Sequence, residues 1–78
     1  MKLKIKHISS KGSEYFEVTD KLMAEVNAFC DEMGDNPNTE VKDVRFEQSI
    51  QTYNMQVQCF YITAFIHYVE INSGNSAI

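Results

Sequence analysis

Two histidines, His7 and His67, and two cysteines, Cys30 and Cys59, are the residues of this chain best suited to metal binding or nucleophilic chemistry. Their spacing argues against both. Zinc sites draw on short paired spacings such as Cys-x-x-Cys, and none occurs here. A Cys59–His67 nucleophile would need an exposed thiolate oriented by its base, whereas Cys59 sits inside an apolar pattern. Asp31, Glu32, Asp35 and Asn36 gather oxygen atoms, but they lack the alternating ligands and closing Glu of a calcium loop and read as a solvated helix end. The expectation is therefore no catalytic residue, no metal site and no cofactor. A small Cys/His enzyme stands as an alternative.

Nucleic-acid binding has its own candidates. Phe60, Tyr61, Phe65 and Tyr68 could stack bases, but such platforms are ringed by cations, and the neighbouring Asp43, Arg45 and Glu47 carry mixed charge. Net charge is −4, with four of the seven basic residues in the first twelve positions and all eleven acids after them. An acidic body does not attract phosphate. The row Lys2, Lys4, Lys6 and Lys11 is the exception, and a nucleic-acid-binding module using it is a second alternative to a solvated strand face.

These residues must be positioned by a small number of elements. Lys2 to Ile8 alternates strictly, which predicts a strand with Leu3 and Ile5 inward and the lysines outward. Ser9 to Ser13 is turn chemistry, and Glu14 to Val18 fits either a hairpin arm or an irregular approach to a helix. Leu22, Met23, Val26, Phe29, Cys30 and Met33 recur at helical spacing, which predicts a helix from about Thr19 to Met33, capped by Thr19 or Asp20 and ended at Gly34. Val41 to Ile50 reads as a one-sided strand, with Val44, Phe46 and Ile50 on its apolar face and Asp43, Arg45, Glu47 and Ser49 opposite. Gln51 to Asn54 turns it into the next strand.

That last strand, Gln56 to Ile71, is apolar on both faces, as strands in the middle of a covered sheet are. A strand-helix-strand crossover is right-handed with parallel strands, and a hairpin returns the third strand antiparallel. The slot between strands one and two is where it fits. The predicted fold is α+β: a single βαββ domain over residues 1–71, a three-stranded sheet of order 1-3-2 with one helix on one face, and a flexible tail over 72–78. Seventy-eight residues bury only about 60% of the surface that the unfolded chain exposes. One helix cannot cover both sheet faces, so a second copy is expected on the other.

Three segments carry a resemblance: Glu25-Val-Asn-Ala-Phe-Cys30, Val41-Lys-Asp-Val-Arg-Phe46 and Cys59-Phe-Tyr-Ile-Thr-Ala-Phe-Ile-His-Tyr68. They resemble a family of very short sporulation-associated or phage proteins of spore-forming bacteria, over about half the chain and on core residues. The resemblance implies a helix-on-sheet fold and a phage or bacterial origin, and it brings no catalytic residue. The lysine-rich start and the Pro37 loop depart from the family's pattern.

The function expected is that of a non-enzymatic protein-interaction module, homodimeric, acting by stoichiometric binding to a protein partner. A phage-encoded inhibitor of a bacterial defence complex, such as an anti-CRISPR, is a specific form of it. Its interface is expected at Phe60, Ile62, Ile66 and Tyr68, with Glu40, Asp43 and Glu47 as partner-facing acids. Met1 to Ile8 lacks the apolar run of a signal peptide, and no stretch approaches a membrane span. Reduced thiols and a cytoplasmic location are expected, with no membrane partner.

Overall fold

The computed structural model describes residues 2–71; the expectation of a fraying tail, 72–78, lies outside them. Strand β1 (Lys2–Gly12) leads to helix α1 (Tyr15–Asp35), and strands β2 (Thr39–Tyr53) and β3 (Gln56–Glu70) form a long hairpin. Sheet order is β1-β3-β2, with β3 antiparallel to both neighbours. The predicted α+β domain with the two-sided strand in the centre is what the chain adopts.

Helix α1 begins four residues before the expected cap. Tyr15 is the reason, since it anchors the first turn: its ring meets Phe60 edge-on at 5.2 Å, and its hydroxyl donates to Gln48 Oε1 at 3.3 Å. Glu14 stands at the cap position without a side-chain hydrogen bond, and the Thr19 hydroxyl instead donates back to the Phe16 carbonyl. Gly34 is inside the helix rather than at its stop, which falls at Asn36 just before Pro37. Val18, Leu22 and Val26, four residues apart, bury one stripe against Ile62, Ala64 and Ile66 of β3. At the near end of the sheet Gly12 passes under that stripe, where an added Cβ would lie 3.1 Å from Val18 Cγ2.

The hairpin closes at Asn54 and Met55, with φ of 51° and 64°. Two consecutive left-handed residues make a type I′ turn, whose twist matches that of the flanking strands. Methionine is an unfavourable choice there, because a Cβ is crowded in that conformation. Met55→Gly is expected to raise unfolding free energy by about 1 kcal/mol, read from urea melts, with no change in any packed contact.

Two bulges set which side chains share a face. Pairing jumps between Gln51 and Thr52, where Gln58 is left over on β3, and again between Val41 and Asp43, where Lys42 is left over on β2. Between them Val44, Phe46, Gln48 and Ile50 lie opposite Ile66, Ala64, Ile62 and Phe60. The apolar row of β2 is thereby placed on the helix side. Beyond Phe60 β1 no longer accompanies the hairpin, so Gln51 to Cys59 forms a two-stranded arm with Tyr53, Met55 and Val57 exposed.

Candidate functional site

The face of the sheet away from α1 is the surface with the most unusual chemistry. Alternation along β3 gives this face Cys59, Tyr61, Thr63, Phe65, His67 and Val69. On β1 their partners are Lys11, Ser9, His7, Ile5 and Leu3, opposite Tyr61, Thr63, Phe65, His67 and Val69 in turn. On β2 they are Gln51, Ser49, Glu47, Arg45, Asp43 and Glu40, opposite Cys59, Tyr61, Thr63, Phe65, His67 and Val69. The apolar residues of β1, Leu3 and Ile5, lie at one end, and the charged residues Glu47, Arg45, Asp43 and Glu40 run along β2.

Two expectations about this face are corrected. Leu3 and Ile5 are not inward: they are 66% and 50% exposed on the open face. Lys2, Lys4 and Lys6 take the helix side instead, where Lys4 pairs with Glu70 at 3.2 Å and the Lys6 ammonium sits 5.7 Å from the centre of the Phe29 ring. Flexible lysine stems can run alongside the last turns of α1 and keep their charge wet, so the helix side accepts them at its margin. The second correction concerns the interface. Phe60, Ile62, Ile66 and Tyr68 lie on the face that α1 covers; Ile62 and Ile66 are core residues, Phe60 packs against them, and Tyr68 meets Phe29 edge-on at 5.4 Å. Their odd-numbered neighbours on β3 line the open face.

The three acids do share one face. Glu40, Asp43 and Glu47 line the β2 margin of the open face, although two of them have partners in the same strand: Glu40 with Lys42 at 3.1 Å and Asp43 with Arg45 Nε at 2.8 Å. The Arg45 hydrogen bond lowers the Asp43 pKa from its ordinary value. A depressed carboxylate contributes stability that is complete above its unfolded pKa and is lost as pH falls through the folded one. Both groups are well exposed, so that contribution is small.

Both histidines are on this face too. His7 meets Phe65 edge-on at 4.9 Å, while His67 lies between Ile5 and Asp43. Cys59 shares the face, and its thiol donates to the Phe60 carbonyl at 3.6 Å. Cys30 and Cys59 are both free thiols. Among the described residues no three His, Cys, Asp or Glu side chains converge on one point, and no helix is long and apolar enough to cross a membrane. On the other side of the sheet, a groove of about 230 Å³ between α1 and β2 is lined by Tyr15, Leu22, Met23, Phe46 and Ile62. It is smaller than usual small-molecule sites.

Sequence reasoning missed Leu3, Ile5, Phe65 and Val69 as the apolar part of the open face. Once the β2–β3 register is known, the one-sided pattern of β2 assigns the faces: the β3 residues that pair with Val44 and Phe46 face the helix. Compared with known proteins, the chain matches no family model, no curated protein and no solved structure.

Proposed function

We propose that this chain is a non-enzymatic protein-interaction module that works by stoichiometric binding through the open face of its sheet, with a second copy of itself as the partner. The observation that carries the reading is the exposure of Leu3 and Ile5 beside the half-buried Phe65 on the side of the sheet away from α1. A contiguous apolar surface rimmed by charge is a recurring mark of protein contact sites, and soluble monomers seldom show more than a few hundred Å² of it. Tyr61 at one end adds a large side chain with a polar tip, a type enriched where proteins meet.

A covered open face also answers the chain's size problem. A domain of this length gains little from its own core, and association supplies further apolar burial. The sheet face spans three strands and about eleven residues of each, about 500 Å² in projection. Side-chain relief brings that toward the area per partner of a modest specific interface. Sedimentation at micromolar concentration should show a dimer. Ile5→Glu, at an exposed position, should stay folded and weaken the dimer by a factor on the order of 10², since the change enters a two-fold interface twice. A wild-type chain that sediments as a monomer across that range would remove the reading.

A further inference from the structure

Sheet order β1-β3-β2 leaves β1 and β2 at the two margins, each with one side of its backbone unpaired among the described residues. Such an edge is a template for a further strand, and proteins ordinarily guard it with lysine, proline or a bulge. Lys2, Lys4, Lys6 and Lys11 guard β1. On β2 the guard is the bulge at Lys42, and it goes no further: from Asp43 to Tyr53 the strand has no leftover residue of its own, no lysine and no proline. That is eleven residues of regular edge.

The same edge is underfilled on its helix side. Phe46 and Ile50 face that side, yet α1 leaves them 49% and 47% exposed, and a groove runs beside Phe46 along the helix flank. A strand added next to β2 would bring side chains against both from the side, as cross-strand neighbours do within a sheet.

A second copy of β2 supplies such a strand. Residues opposite one another must share a face, so a two-fold antiparallel pair is centred on a single residue. Centring it on Gln48 uses the whole run from Asp43 to Tyr53. Phe46 of each copy then lies opposite Ile50 of the other, and Val44 opposite Thr52, all on the helix side. On the open side Glu47 faces Ser49, Arg45 faces Gln51 and Asp43 faces Tyr53, so no charge meets its like. Neighbouring centres do worse. At Glu47 the two Glu47 carboxylates oppose each other, and at Arg45 the two guanidiniums do, with Asp43 against Glu47. A centre at Phe46 carries the pairing into the Lys42 bulge and leaves only Asp43 to Ser49 regular, and one at Ser49 sets Phe46 against Thr52. We infer that two copies join edge to edge through β2, antiparallel about Gln48, to make a six-stranded sheet with both helices on one face.

This contact uses an edge of the sheet, so it is independent of association through the open face. Its ladder bonds replace bonds to water at little net gain, and its side-chain contact is narrow, which sets the dissociation constant on the order of 10⁻⁴ M. The test is sedimentation equilibrium from about 10 μM to 1 mM on the full chain carrying Ile5→Glu, which disables the open face and leaves the β2 edge unchanged. A monomer–dimer equilibrium is expected. Ser49→Lys, opposite Glu47, should tighten it about threefold or more, because the change enters twice, and Ser49→Glu should weaken it as much. Gln51 faces Arg45, so there the signs reverse: Gln51→Glu tightens and Gln51→Lys weakens. Both positions are exposed, and circular dichroism checks that every variant is folded. A chain that stays monomeric to 1 mM, or lysine acting in the same direction at both positions, would overturn the pairing. A wild-type chain that is monomeric at micromolar concentration but follows this pattern at higher concentration would remove the open-face reading and support the edge.

Discussion

Ile66→Glu is expected to leave the chain unfolded at ambient temperature. Ile66 has no exposed surface; it stands in the middle of β3 beneath α1, in one cluster with Val18, Leu22, Val26, Ile62 and Ala64. Truncating such a residue costs about 2–5 kcal/mol, and a carboxylate in its place adds several more for leaving water without a partner. A domain of this length has a total stability of about 4–12 kcal/mol. The loss is comparable to the whole. Circular dichroism and amide exchange will read it directly, and a cooperative melt within a few degrees of wild type would show that α1 does not cover this side of β3. The neighbouring change Phe65→Glu supplies the contrast, because Phe65 points to the open face and its variant should fold and lose association only.

Leu22→Ala carries the next largest effect. Leu22 is among the largest fully buried side chains, and the buried core holds few others to close the gap it would leave. Destabilisation of about 2–5 kcal/mol should appear in urea melts as a lower midpoint at an unchanged slope. Met23 is the internal control, since it is exposed on the flank of the same helix and Met23→Ala should stay within about 0.5 kcal/mol of wild type. If the two variants lost equal stability, the helix would be rotated from the orientation described.

The order β1-β3-β2 was legible because only β3 is apolar on both sides, and only the middle of a three-stranded sheet suits such a strand. The helix body was legible from the spacing of Leu22, Val26 and Phe29. Its start was not, because Tyr15, Phe16 and Val18 favour strands in isolation, and a tertiary contact, Tyr15 on Phe60, draws them into the first turn. On β1 the alternation identified two faces, but polarity alone put Leu3 and Ile5 inward, the wrong choice, because lysine stems tolerate either side. The choice between the two faces of β3 depended on a Gln58 bulge that no residue type announces. Counting back from a two-residue turn without it pairs Val44 with Phe65 and exchanges the core row for the open one. The three acids needed no such count, because β2 segregates its polar residues by itself.

The leftover residues at Gln58 and Lys42 behave like a pair of opposite frame shifts, the second restoring the phase that the first displaced. Growth or shrinkage of the hairpin tip by matched pairs leaves that phase alone. A single residue gained or lost on one strand inside the interval does not, since it would rotate Val44, Phe46 and Ile50 out to water and bring Asp43, Arg45 and Glu47 beneath the helix. Length variation in this protein should accordingly be concentrated at Asn54 and Met55, with the interval from Lys42 to Gln51 held at constant length.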